Sequence, residues 1–180
     1  GALDVDTTGA LTFNDGVAAA SIALDGAADV DLATGAVTLD TSAGNGVVTF
    51  ATAGNVDGAQ DLTITAGSGA VNLSAIGAGT PVGAFDLDST GTTTVNGNIS
   101  AGSIAMDGAT DVDLATGAIT LSTSAANGAI TLTGGAVDGA QDLTITAGSG
   151  AVNLDGVGQN TPVGALDVDT TGALTFNDGV

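Results

Sequence analysis

Short runs of alternating apolar and polar residues cover the whole chain. Apolar side chains two positions apart recur throughout, for example Leu62 and Ile64 or Val71 and Leu73. Residues with this spacing share one face of a β-strand, so each run has an apolar face and a face of Asp, Thr or Asn. Glycine-containing turn signals separate the runs, and no segment shows the helical period. The pattern predicts an all-β protein without helices.

The chain repeats itself with a unit of about 82 residues. Residues 56–73 (VDGAQDLTITAGSGAVNL) recur unchanged at 137–154, 81 positions later. Residues 1–17 recur unchanged at 164–180, which is two units later. No atypical capping repeat is evident in this window of the array. We therefore predict one continuous array with a first unit at 1–82, a second unit at 83–163 and the start of a third at 164–180.

Two architectures fit this alternation. In a parallel β-solenoid each strand lies on the equivalent strand of the next turn, whereas in a tandem of β-sandwiches each unit folds by itself. The chain has four Phe and neither Trp nor Tyr, which suits a narrow solenoid interior better than a sandwich core. We predict an uncapped parallel β-solenoid, with the sandwich tandem as the alternative. Turns of about 20 or about 27 residues both remain open, and seven to nine turns would make a rod about 35–45 Å long.

Composition excludes several classes of function. The formal net charge is −20, with no Lys, Arg or His, so we expect binding neither to nucleic acids nor to anionic membranes. The absence of Cys and His excludes zinc fingers, haem ligation and disulfides. Most of the usual general bases and nucleophiles are missing, so we expect no enzyme. A glycosidase using paired carboxylates is the enzymatic alternative, but such pairs recur along the whole chain and few aromatic residues could stack on a sugar.

Five pairs of Asp at positions i and i+2 are the candidate site residues. Each pair flanks an inward apolar residue, so both carboxylates point outward. Pairs that stack on neighbouring turns about 5 Å apart would repel one another, and no basic residue offsets this repulsion. Ca²⁺ takes carboxylate and carbonyl ligands. Two interpretations stay open: an acidic face screened by salt, or Ca²⁺ sites at Asp4 and Asp6, Asp29 and Asp31, Asp86 and Asp88, Asp111 and Asp113, and Asp167 and Asp169.

Three segments carry a family resemblance: VDGAQDLTITAGSGAVNL at 56–73, TTTVNGNISAGSIAMDGA at 92–109, and TPVGALDVDTTGALTFNDGV at 161–180. They resemble the strand repeats of giant bacterial surface proteins of the filamentous-haemagglutinin and autotransporter-like adhesin group. The resemblance extends over the whole chain. It implies a right-handed parallel β-helix, export to the cell surface, and a role as stalk, fibre or adhesin, without a catalytic motif.

These observations predict a structural segment of an extracellular acidic filament or stalk. We expect it to extend head to tail, either within a giant chain or by axial stacking of copies. One alternative is an adhesin stalk whose binding domain lies outside these residues. Another is an ice- or mineral-binding surface, because Thr63 and Thr65 recur as Thr144 and Thr146 in a T-x-T pattern on an outward face.

Overall fold

The computed structural model describes residues 1–24, 26–50 and 54–179, and these form a β-solenoid. The described residues contain no helix, and their strands pair in parallel throughout. The predicted parallel β-solenoid is thereby confirmed. The alternative of tandem sandwiches is wrong, because sandwich domains are built from antiparallel sheets.

The described residues form 21 short strands. In chain order they are β1 (Leu3–Asp4), β2 (Ala10–Phe13), β3 (Val17–Ala18), β4 (Ile22–Ala23), β5 (Asp29–Leu32), β6 (Val37–Asp40), β7 (Val48–Thr49), β8 (Asn55–Asp57), β9 (Leu62–Gly67), β10 (Val71–Leu73), β11 (Val82–Ser89), β12 (Thr92–Val95), β13 (Ile99–Asp107), β14 (Asp111–Leu114), β15 (Ile119–Ser122), β16 (Ile130–Thr133), β17 (Ala136–Asp138), β18 (Leu143–Gly148), β19 (Val152–Leu154), β20 (Leu166–Thr170) and β21 (Leu174–Phe176).

Successive strands occupy three faces of the rod in turn. The first face stacks β1-β4-β7-β10-β12-β14-β17 and ends in a bridge from Val137 to Val157. The second face stacks β2-β5-β8, a bridge through Ile76 to Ile99, and then β15, β18 and β20. The third face stacks β3-β6-β9-β11-β13-β16-β19-β21. Strand β13 bends around a corner, because its start pairs with β15 and its end with β16.

Each face therefore has eight strand positions, so the described rod has eight turns, within the expected seven to nine. The turns differ in length. Leu3 pairs with Ile22, and Ile22 pairs with Val48, so these two turns take 19 and 26 residues. Neither fixed turn length considered from the sequence is right, because loops of different size connect the strands.

The sequence unit does not close on a whole number of turns. Between Leu3 and its equivalent Phe85 the chain advances by eleven strand positions, and it advances by eleven again to reach Leu166. Three positions make one turn, so each unit takes three and two-thirds turns. As a result Leu3 lies on the first face, Phe85 on the third and Leu166 on the second.

Equivalent residues keep the same neighbours although they change face. Leu62 of β9 pairs with Phe85, and Leu143 of β18 pairs with Leu166, with the same shift of register near the end of each pairing. The two units are thus related by a screw operation that shifts the packing by one face, from the first to the third and from the third to the second. The same correspondence holds for β5–β8 and β14–β17, β6–β9 and β15–β18, and β7–β10 and β16–β19.

The interior is one continuous apolar column. In β9 the inward residues Leu62, Ile64 and Ala66 are fully buried, while Thr63 and Thr65 between them are partly exposed. Strands from all three faces contribute to a single buried cluster that includes the large Phe50 and Phe85. Alternation of side chains around a narrow interior therefore explains why small and medium apolar residues suffice to fill it.

One corner of the rod is held by Asn and Gly. Asn45 adopts a left-handed conformation with φ of 52°, and its Oδ1 accepts a 2.9 Å hydrogen bond from the backbone N–H of Ser68 on the next turn. Gly69 lies directly over Gly46, so a Cβ at residue 69 would overlap the carbonyl oxygen of Gly46. The corner therefore requires a residue without a side chain, and Gly150 in the second unit has the same environment.

Candidate functional site: carboxylates between turns

The ten predicted site residues lie on the outer side of the rod and are distributed over its three faces. Val30 between Asp29 and Asp31 is fully buried, so the flanking carboxylates point outward as predicted. The first face carries Asp111, Asp113 and Asp4, with Asp6 two residues beyond the end of β1; the second carries Asp29, Asp31, Asp167 and Asp169, and the third carries Asp86 and Asp88.

The Asp pairs do not stack on one another, and the expectation of stacked pairs is wrong. Asp86 and Asp88 lie in register with Thr63 and Thr65 of the preceding turn. The same arrangement recurs where Asp167 and Asp169 lie over Thr144 and Thr146. The reason is that successive pairs lie on different faces: Asp4 is on the first face and Asp29 on the second, and Asp86 is on the third face and Asp111 on the first. On the preceding turn these two pairs therefore face threonines rather than carboxylates, which avoids repulsion on that side.

Single carboxylates do meet across neighbouring turns. The three contacts in register are Asp31 with Asp57, Asp88 with Asp107, and Asp113 with Asp138. Asp57, Asp107 and Asp138 were not among the predicted site residues. Each one ends a strand immediately before a glycine, and this Asp-Gly step at a strand end is the only sequence signal that marks them.

Asp57 and Asp138 are the buried members of these contacts. Asp138 is only 2% exposed, and its Oδ1 accepts 2.9 Å hydrogen bonds from the backbone N–H groups of Asn160 and Thr161. Its Oδ2 accepts a third from the side-chain amide of Asn160. Asp57 likewise accepts two hydrogen bonds from backbone N–H groups of its own covering loop. An alternating pattern predicts an outward, solvated side chain here, but the loop of the next turn folds over it.

Burial and hydrogen bonds act on Asp138 in opposite directions. Burial favours the neutral carboxyl, but hydrogen bonds from the Thr161 and Asn160 backbone and the Asn160 side chain outweigh it and lower the pKa of Asp138. Asp138 is therefore held as a carboxylate. This negative charge faces Asp111 on the preceding turn.

Asp111 has the opposite character. Its Oδ1 is buried and has no hydrogen-bond partner in the described part of the chain. Burial, a hydrogen bond to Asp138 and the charges of Asp113 and Asp138 raise the pKa of Asp111 to about 6. Asp111 is therefore the member of this pair that takes up a proton first as the pH falls, while Asp138 stays a carboxylate.

The first unit repeats the arrangement on another face. The Oδ1 of Asp29 is buried without a partner among the described residues, and its pKa is raised by burial and by the charges of Asp57 and Asp31. One difference lies in the covering loop, where Gly79 stands at the place of Asn160 and supplies only its backbone N–H. Another lies in the next strand, where Asn55 pairs with Asp29 but Ala136 pairs with Asp111. The site therefore occurs in both units, with fewer hydrogen bonds in the first.

Carboxylate oxygens at these contacts are suitable ligands for a hard cation such as Ca²⁺. Within residues 1–24, 26–50 and 54–179, however, no group of three or more acidic side chains is arranged so that it could hold a metal ion. Ca²⁺ binding at the ten Asp residues stays a prediction, which a titration can test. The T-x-T residues form no long ladder, because Thr63 and Thr65 lie on the third face and Thr144 and Thr146 on the second.

No family model matches the chain, and neither the curated proteins nor the solved structures give a significant match. No helix of the described residues is long and apolar enough to cross a membrane.

Proposed function

We propose that the chain is a structural segment of an extracellular, acidic β-solenoid filament or stalk. It extends along its axis by further units, within a longer chain or through copies stacked head to tail. An adhesin stalk is the same proposal with a binding domain outside these residues. The proposed location at the cell surface is supported by the resemblance of the repeats to those of bacterial surface proteins.

The observation that carries this proposal is the seamless junction between units. Strand β11 runs from Val82 to Ser89 across the boundary between the first and second units. Its pairing with β9 is the same as that of β20 with β18 at the next boundary. A junction that has the packing of the interior allows the array to continue without new contacts.

The apolar side chains of a turn become fully buried only when the next turn covers them. Phe13 is 8% exposed beneath β5, which covers its strand. The identical residue Phe176 in β21 is 37% exposed, and Leu174 beside it is 45% exposed. An additional turn would remove this apolar surface from water, which favours axial extension. Such a contact is heterologous and does not close, so it generates fibres rather than rings.

Electron microscopy of native material tests the proposal. We expect thin, unbranched filaments, and we expect an antibody against this chain to label intact cells. Sedimentation of the isolated 180-residue chain should show end-to-end association that increases with salt, because salt screens the net charge of −20. A matched variant, Leu174→Lys with Phe176→Lys, should associate less. Labelling only after cell lysis would contradict the location, and a monodisperse monomer at high concentration and salt would contradict stacking of copies.

A further inference from the structure

We propose that the 82-residue unit is a module of length and rotation: whole units can be added or removed without refolding their neighbours. Each unit adds about 18 Å to the rod, from strand spacings of about 4.8 Å over three and two-thirds turns. Each unit also turns everything that follows by one face. This modularity belongs to the array itself and does not depend on whether the chain forms surface filaments.

Each new unit packs on the same strand of the unit before it. Residues 62–67 and 143–148 are both Leu-Thr-Ile-Thr-Ala-Gly. The first supports β11 and the second supports β20, although they lie on different faces. Each unit therefore offers the same pairing strand to the next unit, whichever face of the rod that strand occupies. Residues 164–180 would find the same pairing partner after the first unit as after the second.

The loop that leads into each junction is anchored in the same way. Thr80 donates its backbone N–H to Asp57, and Thr161 donates its backbone N–H to Asp138, both at 2.9 Å. The sequence Thr-Pro-Val-Gly-Ala follows at 80–84 and at 161–165. Both the anchoring Asp and the loop that it holds are thus shifted by one face together with the strands, from the second face at Asp57 to the first at Asp138.

The screw relation also determines how the surface is displayed. Outward residues of one unit reappear on a neighbouring face and about 18 Å along the axis. Three units restore the original direction, because thirty-three strand positions make eleven complete turns. A partner that recognises the surface of one unit would therefore meet it on all three faces of a long array.

Removing one unit tests the rotation. In the intact chain Thr63 lies on the third face and Asp167 on the second. Deleting residues 83–163 joins Val82 to Gly164, which reproduces the natural Val-Gly junction. The deletion should bring residue 167 beside residue 63 on the third face. A T63C/D167C pair, in a chain that otherwise has no Cys, should then be joined by a short thiol cross-linker in the deletion variant and not in the full-length chain.

Adding one unit tests the same rule with the full chain retained. A second copy of residues 83–163 is inserted after Val163. In the intact chain a T144C/D167C pair cross-links, because these residues are neighbours in register. The insertion should abolish that cross-link. The cross-link should return when the Thr→Cys change is made in the added copy instead, because the added threonine is then the neighbour of Asp167. Small-angle scattering should show a rod longer by about 18 Å.

A scrambled 81-residue insert of the same composition is the matched control. It should loop out, so the original T144C/D167C cross-link should persist in that control. Persistence of this cross-link with the true unit inserted would overturn the proposal, because it would mean that the added unit is also looped out. Loss of β-structure in circular dichroism for both the deletion and the insertion would overturn it as well.

Discussion

At one interior position the copies of the unit have different side chains but the same strand pairing, so the position shows that register does not depend on interior packing there. Leu11 of the first unit and Leu174 of the third correspond to Thr93 in the second. Thr93 is fully buried, and its hydroxyl has no hydrogen-bond partner in the described residues. Its strand nevertheless pairs with the following strand at Val112, as Leu11 does with Val30. Register therefore follows from the alternating pattern and the loops, and it survives an unfavourable side chain in the interior.

Substitution at the glycine corner should have the largest effect on stability, and the effect should be equal in the two units. A Cβ at Gly69 or Gly150 would overlap a carbonyl oxygen of the preceding turn, so the turns must separate there. We expect Gly69→Ala and Gly150→Ala each to lower the free energy of unfolding by about 3 kcal/mol. Urea denaturation measures this change.

Gly9→Ala is the control for both variants. The nearest atom to its added Cβ would be the Thr7 hydroxyl oxygen at an ordinary 3.6 Å, so we expect little change in stability. If the two corner variants differed from each other by as much as they differ from the control, the equivalence of the units would be wrong.

Restoring the apolar residue at position 93 should remove the difference between the copies. A buried hydroxyl without a partner costs about 1–3 kcal/mol. We expect Thr93→Val, which keeps the shape, to stabilise the chain by about 1 kcal/mol, and Thr93→Leu, the residue of the other copies, by about 2 kcal/mol. Thr94→Val on the same strand is the control, because residue 94 points outward. A destabilised Thr93→Val would mean that the hydroxyl has a partner, such as a buried water.

Much of the fold could be predicted from the sequence. The period of two, the repeated segments and the small interior residues are local signals, and they led to a parallel solenoid with eight turns in the expected range. Turn length was not accessible in this way. The loops between Ile22 and Val48 are longer than those between Leu3 and Ile22, and only three-dimensional pairing shows that eleven strands do not fill whole turns.

The candidate site could be predicted only in part. Sequence spacing correctly placed pairs such as Asp111 and Asp113 on the outer side of strands. It could not show that Asp138 lies beneath a loop, because the covering residues Asn160 and Thr161 are more than twenty positions away in the chain. The stacking of pairs failed because successive pairs, such as Asp29 and Asp31 after Asp4, lie on different faces of the rod.

The carboxyl groups of Asp111 and Asp138 in the second unit should make the stability of the chain depend on pH. A raised pKa at Asp111 means that its contribution is fully present below the ordinary value near 3.8 and is lost as pH rises through about 6. The lowered pKa of Asp138 acts oppositely, and its contribution is lost only as pH falls below 3.8. We therefore expect the melting temperature to fall between pH 4 and pH 7 as Asp111 loses its proton beside Asp138.

Asp111→Asn isolates this effect, because the amide keeps a donor toward Asp138 without a titrating proton. We expect the variant to melt about 2–3 °C higher than the natural chain above pH 6 and to show a flatter profile between pH 4 and pH 7. Asp169→Asn, at an exposed position, removes the same charge from a solvated site. An equal gain in both variants would assign the effect to net charge rather than to the pair.

Divalent cations should have the smallest effect, concentrated where carboxylates of neighbouring turns meet. At Asp113 and Asp138 two carboxylates lie in register, and the chain contains no basic side chain that could separate them. A cation bound only to the folded chain stabilises it by mass action. We expect Ca²⁺ to raise the melting temperature by about 1 °C more than sodium chloride of equal ionic strength, and a chelator to reverse the gain. Asp113→Asn should remove part of it, whereas Thr94→Asn, on the adjacent strand, should not. Equal effects of Ca²⁺ and sodium would instead favour an acidic surface that salt screens without specific binding.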